Sequence, residues 1–318
     1  MRLPASAYSK LCGVALGLMV AAPMGNTVVA QGAPTSPRRL GAADIDSMTL
    51  HQSGRRIVYG SDSLHFGELR LPPGARADAR VPVAVVIHGG CWISSFASLR
   101  NTAALADALA EAGIATWNVE YRRADHPGGG WPGTLVDVAR ATDHLRTLAR
   151  EVPLDTTRVV AVGHSAGGQL ALWLASRATL PAQSPLGGSV PLPIKGVVSL
   201  GGVTDLEEFA ARIPGGCGRG ASLLLGGDPR SLPDRVQLAS PVRRLPLGIP
   251  TTHIAGEQDA IAPDSVRNAF RRAAIATGDP PPLNITVPGG HFEVIAPRTA
   301  AGAEALRQTL MLLGLPPR

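Results

Sequence analysis

Along the chain, short apolar runs alternate with longer stretches whose apolar residues recur at helical spacing. Residues 57–59 and 65–71 predict a leading hairpin, shut off by Pro72-Pro73-Gly74. Residues 83–87 are apolar without interruption and rich in valine, which predicts a strand buried on both faces. A helix over 97–112 follows, with Gly113 placed to end it, then a strand over 114–119 and a helix over 131–150 that begins near Pro132. Residues 158–162 predict a third central strand, with a helix over 166–178 directly behind it. Strands over 194–200, 251–255 and 283–287, and helices over 264–276 and 299–313, complete the pattern. Such alternation predicts an α/β fold, a mostly parallel central sheet with helices on both faces, occupying residues 55–318. Between 201 and 250 the pattern breaks into Gly- and Pro-rich pieces, and residues of about 203–248 are expected to form a small cap over the sheet's C-terminal edge.

Two segments precede this domain. Residues 1–30 read as a removable secretory signal. Arg2 and Lys10 supply a positive start, residues 11–22 a 12-residue apolar stretch, and Val28-Val29-Ala30 small residues before Gln31. The apolar stretch is short for a membrane span and no lipobox precedes Cys12, so the expectation is export to the periplasm or medium, without stable membrane insertion. Residues 31–54, rich in Pro, Ser, Gly and Arg, are expected to be a flexible lead-in.

Composition narrows the function classes. The chain has 318 residues, 45% hydrophobic and 17% charged, which suits a sizeable core and argues against general disorder. The net charge of +6 is carried by scattered arginines, with only 4% aromatic residues for base stacking, so no nucleic-acid partner is expected. There is no H-E-x-x-H and no metal-ligand spacing of cysteines, so no metal is expected. After signal cleavage only Cys91 and Cys217 remain of the 3 cysteines, in a compartment where disulfides persist. They are read either as a bonded pair tying the cap to the loop after the 83–87 strand or as two unpaired thiols.

The chemistry concentrates at three loops. Gly163-His164-Ser165-Ala166-Gly167-Gly168 is G-x-S-x-G between a predicted strand and helix, the setting in which a Ser hydroxyl is lifted clear of the sheet as a nucleophile. A base and an acid should follow it. His291, in Gly289-Gly290-His291-Phe292 just past the last strand, is the candidate base; His164 and His253 are weaker rivals, inside the turn and inside a strand. Asp259, just past the 251–255 strand, is the candidate acid, with Asp205 as its rival after the 194–200 strand. Upstream, His88-Gly89-Gly90-Cys91-Trp92 follows the 83–87 strand, and consecutive glycines there let backbone N–H groups face a substrate oxygen. The expected oxyanion donors are the amides of Gly90, Cys91 and Ala166, supported by His88 and Gly89, with Cys91 standing where a third glycine would be.

With Asn118-Val119-Glu120-Tyr121-Arg122 and Asp259-Ala260-Ile261-Ala262-Pro263 added to these loops, the chain resembles the α/β-hydrolase superfamily over nearly its whole length after residue 30. It looks most like secreted carboxylesterases related to hormone-sensitive lipase and the small bacterial feruloyl/acetyl esterase group. Kynurenine formamidases and the catalytic domains of prolyl-oligopeptidase-type peptidases share similar elements. The resemblance implies hydrolysis of a small-molecule ester by a Ser165–His291–Asp259 triad without a cofactor. An amidase or formamidase, a peptidase and a non-catalytic scaffold are the other readings. Glu120, Tyr121, Trp131 and Asp137 read as structural.

Overall fold

In the computed structural model, residues 38–317 are described, so the expected signal at 1–30 lies outside them. One sheet of eight strands runs through the body in the order β1-β2-β4-β3-β5-β6-β7-β8. Strands β1 (Arg55–Val58) and β2 (Phe66–Arg70) form the antiparallel hairpin at one edge. The remaining strands are parallel: β3 (Val81–Ile87), β4 (Ala115–Val119), β5 (Leu154–His164), β6 (Gly196–Leu200), β7 (Thr251–Gly256) and β8 (Leu283–Val287).

The strand patterns explain why both faces are covered. In β3, Val83, Val85 and Ile87 enter one apolar core, while Ala84 and Val86 enter the other. In β5, Val159 and Ala161 alternate with Val160 and Val162 in the same way. Helices α3 (Gly133–Asp143), α4 (Leu145–Leu148) and α5 (Ala166–Ala175) bring apolar residues to the first core, and α2 (Ala103–Glu111) and α10 (Ala300–Leu312) to the second. Helix α9 (Asp264–Ala276) packs beside β8 at the far edge and sends Phe270 into the first core. Among the described residues no helix is long and apolar enough to cross a membrane.

Several boundaries differ from the sequence pattern. The expected 97–112 helix begins as a 3-10 turn at Leu99–Thr102, because Ser98 accepts from the Arg100 N–H and tightens the first turn. The expected 131–150 helix is two helices, interrupted at His144. Strand β5 starts at Leu154, four residues early, and its pairing with β3 shifts register between Pro82 and Val83. That irregularity hides the start from a simple period of two.

The described part of the expected lead-in over 31–54 carries ordered elements that its composition does not announce. Helix α1 (Ala42–Asp46) buries Ile45 in the second core, with Leu40 and Met48 packed alongside. Leu40 N–H donates to Glu293 Oε1 (2.7 Å), and the His51 and Gln52 N–H groups donate to the Asp107 carboxylate (2.6 and 3.1 Å). A five-residue helix is too short to leave a readable apolar period, and the buried contacts that hold it come from distant residues.

Between β6 and β7 lie three short helices, α6 (Leu206–Arg212), α7 (Gly216–Leu225) and α8 (Pro233–Ala239). Trp173 Nε1–H donates to the Leu238 carbonyl (3.0 Å) and Gln169 Nε2–H to the Ala239 carbonyl (2.9 Å), which fasten this insertion to α5.

Candidate active site

Strand β5 ends at His164 and α5 begins at Ala166, so Ser165 is the whole turn between them. Its backbone is at φ 54°, ψ −119°, a conformation side chains rarely adopt, and its N–H donates to the Leu200 carbonyl (2.8 Å). Such a turn needs close approach on both sides. A Cβ on Gly163 would overlap the Gly167 carbonyl, and one on Gly167 would overlap the Ile87 carbonyl. The glycines of this motif are therefore steric requirements, and they bring β3, β5 and the start of α5 together around one hydroxyl. The N-terminus of α5 adds positive potential at that point.

His291 follows β8 and Asp259 follows β7, and the two meet: His291 Nδ1–H donates to Asp259 Oδ2 (2.9 Å). The other Asp259 oxygen accepts from the Ile261 and Ala262 N–H groups (2.8 and 3.3 Å). Burial by itself would push the Asp259 carboxyl up, but the hydrogen bond and charge of His291, with those two amides, hold it below its ordinary value. With Nδ1 engaged by Asp259, Nε2 is the ring nitrogen that this pair leaves open. The pair stands at the end of β6: a Cβ on Gly201, next to the residue that accepts from Ser165 N–H, would touch Asp259 Oδ2 and His291 Nδ1. The Ser165 hydroxyl has no hydrogen-bond partner among the described residues.

The rivals take other work. Asp205 is the N-cap of α6, accepting from the Glu207 and Glu208 N–H groups (3.0 and 3.3 Å). His253 is buried in β7 against Phe270. His164 lies under His291, with ring centroids 4.6 Å apart, and its Nε2–H donates to the His291 carbonyl (2.9 Å). Burial first, then the neighbouring His291, push the His164 pKa down to about 3. It is a neutral strut that fixes the His291 backbone beside Ser165, a role that spacing alone did not reveal.

The loop after β3 is the third component. Gly90, Cys91 and Trp92 have φ of 95°, 52° and 57°, so the chain turns with three successive residues in the left-handed region. The backbone N–H groups of Gly90, Cys91 and Ala166 have no partner among the described residues. Cys91 is joined to Cys217 of α7 by a disulfide, with Cα atoms 4.7 Å apart and a sequence separation of 126. Trp92 reinforces the same junction, edge-on to Phe209 of α6 and donating Nε1–H to Gln169 Oε1 (3.0 Å).

Glu120 and Tyr121, read from sequence as strand-end residues, hold this loop from below. His88 Nε2–H and Arg123 Nη1–H donate to Glu120 Oε1 (3.0 and 2.6 Å), and Tyr121 O–H donates to the His88 carbonyl (2.8 Å) while its ring stacks on His88. Burial would raise the Glu120 carboxyl, but His88, Arg123 and the Tyr121 N–H bring it down to about 2. Because the folded value lies below the unfolded one, the folded state holds fewer protons between pH 4.5 and 2, so this stabilisation is present above pH 4.5 and fades as acid is added. Urea midpoints at pH 7 and pH 3 should show Glu120→Gln less stable at pH 7. Its further loss at pH 3 should be smaller than wild type's by roughly 2 kcal/mol. Equal acid losses in the two proteins would contradict this coupling.

The BD-FAE family model matches residues 68–273. The esterase LipI of Mycobacterium tuberculosis is 31% identical over 108 residues, 34% of this chain and 32% of LipI. A non-reducing polyketide synthase, mapC', of Penicillium brevicompactum is 27% identical over 190 residues, 56% of this chain but 8% of the synthase. The matches thus span about a third or less of each curated relative. Among solved structures, a truncated carbohydrate esterase from gut microbiota superposes with a TM-score of 0.69 at 23% identity, covering 84% of this chain and 98% of that one.

Proposed function

Since this chain belongs to the BD-FAE family and has the α/β-hydrolase fold, we propose that it is a serine esterase acting on small-molecule carboxylic esters. The observation that carries this reading is the Asp259–His291 pair, set over the end of β6 beside the strained turn of Ser165. In the proposed cycle the Ser165 hydroxyl attacks the ester carbonyl as its proton passes to His291 Nε2. The resulting oxyanion accepts from the N–H groups of Gly90, Cys91 and Ala166. Collapse returns that proton to the departing alcohol and leaves an acyl group on Ser165. Water, giving its proton to His291, then releases the carboxylic acid and restores the serine. Asp259 keeps the imidazole in the required tautomer and stabilises it when protonated.

A hydrolysis panel tests the class: p-nitrophenyl esters of rising acyl length, feruloyl esters, acetylated sugars and N-formyl aryl amines. Turnover of esters well above the formyl amines is the expected outcome; preference for the amines would replace this reading with a formamidase. The acid is tested separately. Asp259→Asn should lower kcat on the best ester by about 10⁴, whereas Asp205→Asn, acting only at a helix cap, should leave kcat nearly unchanged. The reverse ranking would show the acid wrongly assigned.

Export is part of the same proposal and rests on the sequence of residues 1–30. Protein recovered from the periplasm or medium should begin near Gln31 by intact mass. A mass that retains Met1–Ala30 would count against cleavage.

A further inference from the structure

A cavity of ≈470 Å³ opens where the segment before β1 faces β2 and the Leu99–Thr102 turn, and none of Ser165, Asp259 or His291 lines it. Its walls carry four guanidinium groups, Arg56, Arg70, Arg100 and Arg123, against two carboxylates, Glu68 and Glu120. Two positive charges are therefore in excess. The carboxylates are already engaged. Glu120 Oε1 accepts from His88, Arg123 and the Tyr121 N–H, and its Oε2 from the Leu99 N–H; Glu68 Oε2 accepts from Arg70 Nη2 (2.8 Å).

The arginines are not satisfied in return. Arg70 is 1% exposed, yet its Nε and Nη1 have no hydrogen-bond partner, and Arg123, 5% exposed, has none for its Nε. A guanidinium cannot shed its charge, so buried N–H groups left open in this way call for an acceptor. Arg56 and Arg100 stand exposed at the rim. Arg56 stacks on Phe66 and reaches the Ser63 carbonyl, and Arg100 is steadied by the Asp46 and Met48 carbonyls. Both keep further donors for a ligand. Gly54 lies against the Arg70 guanidinium, where a Cβ would come within 2.8 Å of Nη1, so the lead-in segment forms one wall of the cavity. The volume falls in the range of small-molecule sites and exceeds what a bare inorganic anion fills.

We infer that this cavity is a second binding site, taking a small organic anion through a doubly charged oxyanion group, a phosphate monoester or a dicarboxylate. The planar N–H forks of arginine match such groups two bonds at a time, and a charge of −2 cancels the excess on the walls. The site shares none of the reacting groups Ser165, Asp259 and His291, and meets the loop after β3 only through Glu120 and Arg123.

Thermal unfolding and calorimetry of the purified chain test it, with inorganic phosphate and malonate as probes and sodium chloride at matched ionic strength as the reference. Phosphate or malonate should raise Tm along a saturating curve that chloride does not reproduce. The tighter of the two identifies whether a phosphate or a dicarboxylate group is preferred. Arg56→Gln and Arg100→Gln, both at exposed positions, should fold and weaken that binding by roughly tenfold or more each. Arg70→Gln, if it folds, should abolish binding. A Tm rise no larger than that given by chloride, or unchanged affinity in both rim variants, would overturn the assignment.

Discussion

Replacing Ser165 by Ala is expected to reduce ester turnover by on the order of 10⁴-fold or more while leaving the unfolding midpoint close to wild type. The two halves of that expectation have different causes. In the proposed cycle the hydroxyl forms the bond to the acyl carbon, and Ser165 is the whole turn between β5 and α5. The fold, by contrast, holds the turn through backbone: Ser165 N–H on the Leu200 carbonyl, and the glycines that let Gly163, Gly167 and β3 pack without a Cβ between them. His291→Ala should cost a comparable factor, and the double variant little more than either single change, since the two groups act as one unit. Strictly multiplicative losses would mean that Ser165 and His291 do not share a step. Steady-state kcat with a p-nitrophenyl ester, alongside a urea unfolding curve for each variant, distinguishes these outcomes.

Breaking the Cys91–Cys217 bond should produce the largest change in stability. The bond closes a loop of 126 residues, and in the chain-entropy account its removal costs about 4–5 kcal/mol, a large share of a domain's total. The change also reaches the chemistry. Cys91 is one of three successive residues with positive φ, and Cys217 ties that turn to α7, where a Cβ on Gly220 would overlap the Cys91 carbonyl. Without the tie, the Gly90 and Cys91 N–H groups, the proposed oxyanion donors, lose part of what fixes their direction. Cys217→Ser should therefore lower both the urea midpoint and kcat, with KM altered less, because an oxyanion donor acts mainly in the transition state. Thiol titration of the unfolded, non-reduced chain should find nothing beyond Cys12. Two further thiols, or a variant as stable as wild type, would contradict the bond's role.

The parts of this molecule that sequence made legible are those whose causes are local. The strand, turn and helix around Ser165 are spelled out within a dozen residues, since the steric need for Gly163 and Gly167 is written directly into the motif. The uninterrupted apolar run of β3 announces burial on both faces. What stayed hidden depends on contacts between distant segments. Asp205 and Asp259 both follow strands, and only their placement in space shows one capping α6 and the other on His291. Glu120 looked like a turn residue because its partners, His88 and Leu99, lie more than twenty residues upstream. The charge pattern of Arg56, Arg70, Arg100 and Arg123 is likewise scattered along the chain and converges only in the folded cavity. Helix α1 is held by Glu293 and the second core rather than by any period of its own.

If Ser165 Oγ is the atom that takes up the acyl group, a reagent that mimics the acyl donor should trap it. Incubation with a fluorophosphonate, followed by intact-mass measurement and peptide mapping, should give one adduct per chain, located on the peptide containing Ser165. Its formation should be slowed strongly in His291→Ala, and it should be absent in Ser165→Ala. An adduct on any other residue, or ester hydrolysis that continues in a chain whose Ser165 is fully modified, would contradict the account.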